Sequence, residues 1–263
     1  MSTVISKDGT RIAYDKTGSG PALIVVDGAM GYRALFGLNL LAEQLAEHFT
    51  VYAYDRRGRG ESSDTLPYAV EREIEDLEAL IDEAGGPAFV YGISSGAALA
   101  MEATIVLGDK IKKLAMYEAP YTTDDAGKQA WQEYTRELSA LLAAGRRGDA
   151  VARFMMLTGA TADQVAEARR MPIWPAFEAV APTLAYDHCA LLGEDASVPT
   201  VRAARVAAPT LVMNGGASYP FMQVAAVALA NAMPNGQHRI LEGQSHEVAP
   251  EALVPVLVEF FTN

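Results

Sequence analysis

Gly92-Ile93-Ser94-Ser95-Gly96 follows the apolar run Ala88-Phe89-Val90-Tyr91 and opens the small, apolar run Ala97-Ala98-Leu99-Ala100-Met101. The first run has the length and composition of a buried strand, and the second reads as a helix packed closely on a sheet. A serine between them stands on a sharp strand-to-helix turn, with its hydroxyl held out at the top of the sheet. The flanking glycines suit such a turn, because the backbone is crowded on both sides and only small residues fit. This is the pattern of a nucleophile elbow, with Ser94 as the nucleophile.

Working outward, four more apolar runs read as strands: Ala22 to Val26, Val51 to Tyr54, Leu114 to Tyr117 and Thr210 to Met213. They are continuous rather than alternating, as expected of parallel strands covered on both faces. Leu38, Leu41 and Leu45 share one face of a helix, and Val70, Ile74, Leu77 and Ile81 share one face of another that stops at Gly85-Gly86-Pro87. Alternating strand and helix predicts an α/β fold with a mostly parallel central sheet flanked by helices. Arg11 to Tyr14 and the residues around Val4 read as an antiparallel hairpin at its edge. Residues 121–206 break the alternation and read as several helices, with Trp131, Phe154, Trp174 and Phe177 among their apolar residues. The expected organisation is a core of residues 1–120 and 207–263 with an all-helical cap of residues 121–206. Pro255 is expected in the first turn of the last helix.

The totals exclude several classes of function. A chain of 263 residues with 50% hydrophobic and 21% charged residues can bury a sizeable core. Its formal net charge of −12 repels phosphate backbones and anionic membrane surfaces, so nucleic acid and membrane are poor partners. Cys189 is the only cysteine, which leaves no internal disulfide and no multi-cysteine metal site. The first residues lack the apolar core of a signal peptide, and no apolar run approaches membrane-spanning length. A cytoplasmic protein with a small-molecule substrate, no cofactor and no metal is expected; a homo-oligomer is left open.

Four landmarks then fall in the order of the α/β-hydrolase fold family, which the chain resembles over nearly its whole length apart from the cap. Val26-Asp27-Gly28-Ala29 follows the third strand, where members usually have His-Gly-x. Tyr54-Asp55-Arg56-Arg57-Gly58-Arg59-Gly60-Glu61-Ser62 looks like the family's Asp-x-Arg-Gly-x-Gly-x-Ser turn. The elbow at Ser94 is the third, and Glu242-Gly243-Gln244-Ser245-His246 is the fourth. A serine hydroxyl needs a base to take its proton, and an imidazole suits that task near neutral pH. The resemblance therefore implies Ser94 as nucleophile, His246 as general base, and the backbone N–H groups of Ser95 and Ala29 as the oxyanion hole. His48, His238 and His188 lack metal-ligand spacing and read as structural, with His188 also a candidate substrate contact.

Two positions depart from the pattern. Most members carry the triad Asp after the strand that here is Thr210 to Met213, yet the following residues are Asn214-Gly215-Gly216-Ala217-Ser218. Glu118, after Leu114 to Tyr117, is the strongest substitute, because some members place a glutamate at the end of that same strand. Ser218, or a water it holds, is the alternative acceptor for the imidazole. The second departure is Asp27, a carboxylate beside the expected oxyanion hole. Arg56, Arg57 or Arg59 is expected to neutralise it as a structural ion pair.

These readings point to a cofactor-free serine hydrolase acting on a small, largely apolar ester or related acyl substrate through an acyl-enzyme. A C–C hydrolase, a lactonase and a perhydrolase use the same constellation. A weakly active or non-catalytic ligand-binding or sensor protein is the alternative of a different class, kept open by the missing Asp and by Asp27.

Overall fold

Residues 1–35 and 38–263 are described in a computed structural model, without the side chains of residues 38 and 39. Eight strands form one sheet: β1 (Ser2–Ile5), β2 (Arg11–Thr17), β3 (Ala22–Val26), β4 (Thr50–Tyr54), β5 (Ala88–Ile93), β6 (Ile111–Tyr117), β7 (Thr210–Gly215) and β8 (Gly236–Leu241). Their spatial order is β1-β2-β4-β3-β5-β6-β7-β8. The β1–β2 hairpin joins β4 antiparallel, and every later pairing is parallel. This is the mostly parallel α/β sheet read from the continuous apolar runs.

The order of the strands positions the site. From β3 the chain crosses to β4 on one side, and β5 then returns to the other side of β3. At such a switch point the loops leaving adjacent strands splay apart and open a crevice at the carboxyl ends. The loop after β3 and the turn after β5 flank that crevice, with Val26 paired to Gly92.

One sheet face is covered by α2 (Val70–Glu83) and α3 (Ser95–Leu107), the other by α1 (Leu38–Leu45) and α10 (Pro250–Thr262). Of the face expected on α1, Leu41 and Leu45 are buried as read; the side chain of Leu38 lies outside the described residues. Helix α3 is buried along its whole first part, Ser95 to Thr104. Its small residues allow this. A Cβ on Gly96 would collide with the carbonyl oxygens of Val26 and Asp27, and one on Gly92 would lie 2.5 Å from the Gly96 carbonyl oxygen. Helix and strand touch here backbone to backbone, so Gly96→Ala would force the elbow off the sheet.

Between β6 and β7 the chain is helical, through α4 (Asp125–Ala143), α5 (Arg147–Leu157), α6 (Ala162–Ala168), α7 (Trp174–Val180), a π-helical turn at Tyr186–Leu191 and α8 (Thr200–Ala203). Helix α9 (Pro220–Ala232) follows β7. The insertion is fastened to the segment between β4 and α2: Tyr186 stacks on Tyr68 with ring centroids 3.9 Å apart, and its hydroxyl donates to Asp64 at 2.6 Å.

Pro255 is not a first-turn residue. Helix α10 begins at Pro250, which takes the position where a missing N–H costs nothing, and Pro255 falls inside the helix. A mid-helix proline costs about 3 kcal/mol because it removes the bond to the carbonyl four residues back. Pro255 is on the exposed side, so water can reach that carbonyl, and the buried stripe of Leu253, Leu257 and Phe261 holds the helix in place. Burying each of those side chains is worth about 2 kcal/mol, which outweighs the loss.

Candidate active site

Strained backbone marks the site. Four non-glycine residues among those described have positive φ, and three of them follow the carboxyl ends of β3, β5 and β6: Met30 (62°), Ser94 (56°) and Glu118 (48°). Such conformations cost of order 1–3 kcal/mol each and persist where the surroundings enforce them. At Ser94 the enforcing contacts are the Gly92–Gly96 close approach and a hydrogen bond from its N–H to the Tyr117 carbonyl at 2.9 Å.

Glu118 receives three donors. Its Oε1 accepts the Gly215 N–H at 2.8 Å, and its Oε2 accepts the Ser218 hydroxyl at 2.9 Å and pairs with His246 Nδ1 at 2.7 Å. An ionised carboxylate can only accept, so the imidazole carries its proton on Nδ1 and leaves Nε2 free as a base. Glu118 is buried, while the His246 side chain is 36% exposed. The two candidate acceptors for the imidazole are thereby separated. Glu118 touches the ring, and Ser218 touches Glu118.

Tyr117, one residue earlier, ties Ser94 to the segment that carries His246. Its carbonyl holds the Ser94 N–H, and its hydroxyl donates to the Ser245 carbonyl at 2.5 Å, next to His246. Burial pushes its phenol pKa up, so the hydroxyl stays a donor. In the sequence Tyr117 is only the last residue of an apolar strand, with no signature of these two contacts. Ser94 Oγ and His246 share no hydrogen bond among the described residues, and such contacts commonly tighten only when substrate binds.

The Ser95 and Ala29 amides donate to no protein acceptor among the described residues. Ser95 is the first residue of α3, where N–H groups are unsatisfied and the helix dipole is positive. Gly28 packs so closely on the elbow that a Cβ there would sit 3.0 Å from Ser94 Cβ.

Among the described residues Asp27 has no ion-pair partner. Its Oδ1 accepts its neighbour Gly28 N–H at 2.7 Å, and its Oδ2 is buried without a hydrogen-bond partner. The arginines expected to neutralise it are occupied elsewhere. Arg57 forks onto Asp76 at 2.8 and 2.7 Å, and Arg56 forks onto Glu73 at 2.7 and 2.8 Å. Arg59 takes Asp187 of the helical insertion at 2.6 Å and the Gly28 carbonyl at 2.6 Å. Burial pushes the Asp27 carboxyl up to about 6, against the lowering by the Gly28 N–H and the more distant Arg59 and Arg56. Asp187 behaves oppositely: burial would raise it, but Arg56 and Arg59 outweigh burial and hold it below the usual carboxylate range.

The other histidines are accounted for within the protein. His48 is exposed at the end of the turn after α1, and His238 Nε2 pairs with Asn214 Oδ1 at 2.8 Å. His188 is buried among Trp131, Tyr134 and Phe154, with Nδ1 2.7 Å from the Tyr134 hydroxyl. Burial pushes it down to about 4, so it is a neutral ring.

With this geometry in view, the comparisons are direct. Residues 27–254 match the family model described as "Alpha/beta hydrolase family". The chain belongs to the alpha/beta hydrolase family. This hydrolase is 52% identical to an alpha/beta hydrolase of solved structure from Sphaerobacter thermophilus, with a TM-score of 0.87 over 99% of this chain and 100% of that one. It is 32% identical over 114 residues to the uncharacterized hydrolase YraK of Bacillus subtilis, a match covering 42% of this chain and 41% of that protein. A thermophilic esterase from Thermogutta terrifontis shares the fold at 20% identity, with a TM-score of 0.71 over 99% of this chain and 97% of that one.

Proposed function

We propose that this hydrolase is a serine esterase that cleaves a small, largely apolar acyl substrate through an acyl-enzyme. The observation that carries the reading is the 2.7 Å pairing of His246 Nδ1 with the buried, three-donor carboxylate of Glu118. A histidine oriented in this way has Nε2 as its free base, and Glu118 stabilises the imidazolium that forms when that base is used.

In the first half-reaction Nε2 of His246 takes the proton as Ser94 Oγ attacks the substrate carbonyl, forming the Oγ–C bond. The Ala29 and Ser95 amides receive the oxyanion. His246 then gives the proton to the departing alcohol oxygen as the C–O bond breaks. In the second half water attacks the acyl-enzyme with the same base, and the proton returns to Ser94 Oγ as the acid is released. The helical insertion of residues 121–206 acts as a cap over the crevice, and its aromatic residues favour an apolar acyl chain.

The test is active-site labelling with a fluorophosphonate probe, together with hydrolysis of p-nitrophenyl esters from acetate to octanoate, with Ser94→Ala as control. Stoichiometric labelling of Ser94 and ester turnover lost in Ser94→Ala are expected. An unlabelled Ser94 with no turnover of any ester would overturn the reading.

A further inference from the structure

The geometry points to Asp187 as a positioning residue for the oxyanion hole, acting through Arg59 from the helical insertion. This rests on the reading that the Ala29 N–H receives the oxyanion. The Gly28 carbonyl and the Ala29 N–H are two ends of one planar peptide group, pointing in opposite directions. Whatever fixes the carbonyl therefore fixes the direction of the N–H.

Arg59 does this with a charge-assisted bond, Nη1 to Gly28 O at 2.6 Å, while its Nη2 is held by Asp187 Oδ2 at 2.6 Å. The preceding peptide is held in the same manner. Arg56 Nη1 donates to the Asp27 carbonyl at 3.3 Å and lies 2.8 Å from Asp187 Oδ1, an ion contact without hydrogen-bond geometry. The same Arg56 nitrogen reaches the Ser95 hydroxyl at 3.4 Å, on the residue that supplies the second oxyanion donor. One carboxylate thus braces both arginines, and the arginines brace both sides of the hole.

Asp187, Arg56 and Arg59 are all fully buried. A cation on a carbonyl also polarises the peptide in the sense that strengthens its N–H as a donor, and burial makes that influence large. Fastening the insertion to the core would need only the carboxylate–guanidinium pairs. The two clamped carbonyls next to Ala29 are the additional feature. Asp187 stands in a π-helical turn, a local irregularity that clusters at functional sites.

The experiment uses Arg59→Lys and Asp187→Asn in the full-length protein. Lysine keeps the buried charge but, lacking the guanidinium fork, cannot hold the Gly28 carbonyl and Asp187 in the same geometry. For one p-nitrophenyl ester, kcat and KM are measured alongside inhibition by a trifluoromethyl ketone of matching shape. Such a ketone adds Ser94 Oγ and forms an oxyanion. A non-electrophilic amide of the same shape reports ground-state binding.

The expected result is a drop of about tenfold to a hundredfold in both kcat and trifluoromethyl ketone affinity, below the loss for deleting an oxyanion donor outright. KM and amide affinity should stay within about threefold, since uniform binding is unaffected. If ketone affinity and amide affinity instead fall together, or if neither kcat nor ketone affinity moves in folded Arg59→Lys, Asp187 only fastens the insertion and the inference is overturned. Should Asp187→Asn not fold, Arg59→Lys decides alone, because Asp187 keeps Arg56. Failure of the esterase reading is separate: it appears as an unlabelled Ser94 in the unmutated protein, before any variant is made.

Discussion

Glu118 and Asp27 are both buried carboxylates at the carboxyl ends of parallel strands, β6 and β3, and both stand within the same crevice. Their surroundings differ in the number of donors. Glu118 has three, on both of its oxygens. Among the described residues Asp27 has one, from its own neighbour, and its second oxygen has no hydrogen-bond partner. At Asp27 burial outweighs the Gly28 N–H and the more distant Arg59 and Arg56, and pushes the carboxyl up. At Glu118 three donors converge on the carboxylate beside the imidazole. At Asp27, beside the proposed oxyanion hole, the carboxyl is left free to take up a proton near pH 6.

The comparison breaks most visibly at Glu118. Glu118→Gln keeps the shape but places an amide among three donors, so either an amide N–H faces a donor or the imidazole turns to its other tautomer. By analogy with a buried triad acid changed to its amide, kcat should fall about 10³- to 10⁴-fold. Steady-state ester hydrolysis checks this, and a loss of only a few-fold would remove Glu118 from the catalytic role.

Asp27→Asn should act in the other direction, on stability. The folded-state pKa is raised from 3.8 to about 6, so the folded form binds the proton more tightly than the unfolded chain does. The resulting stability is fully present below about pH 4 and is lost as pH rises through 6. At about 1.4 kcal/mol per unit, ionised Asp27 costs up to about 3 kcal/mol at pH 8. Asparagine removes that cost and keeps the Oδ1 acceptor for Gly28 N–H. Urea denaturation should show the variant more stable than the parent at pH 8, with most of the difference gone at pH 4. Equal differences at both pH values would mean that packing, not charge, sets the effect.

How these sites were legible differs for physical reasons. Ser94 and His246 could be read because a nucleophile elbow and a base after the last strand are local patterns. Glu118 was reached only through the missing Asp after Met213 and the resemblance to members with a glutamate at this strand end, because its contacts with Gly215, Ser218 and His246 are all long-range. Asp27 was misread, since the pairing of a buried acid depends on which donors are already taken. The forks of Arg56 and Arg57 onto Glu73 and Asp76 are contacts between a turn and helix α2, with no spacing signature. Asp187 went unremarked, although a lone acid within Leu184-Ala185-Tyr186-Asp187-His188-Cys189-Ala190-Leu191 was a usable signal. A chain with three arginines in Arg56-Arg57-Gly58-Arg59 needs buried acids from elsewhere to neutralise them. Pro255 was misplaced because two prolines, Pro250 and Pro255, each fit a helix start, and only the packing of Leu253 fixes which one begins it.

Ser218 gives the smallest effect and the sharpest division between the two acceptors first considered. Its hydroxyl is one of three donors on Glu118 and makes no hydrogen bond to the imidazole among the described residues. Ser218→Ala leaves Gly215 N–H and His246 on the carboxylate, so the charge stays compensated and the ring stays oriented. A hydrogen bond to a charged group is worth about 1.5 kcal/mol at the lower end, which corresponds to a loss in kcat of about tenfold. Half-buried Ser218 can be replaced by water at the vacated position, which brings the expected loss nearer threefold. Measured beside Glu118→Gln, the serine variant should retain hundreds of times more activity. If it instead matches the glutamine variant, a hydroxyl rather than a carboxylate orients His246, and the contrast between Glu118 and Asp27 loses its catalytic meaning.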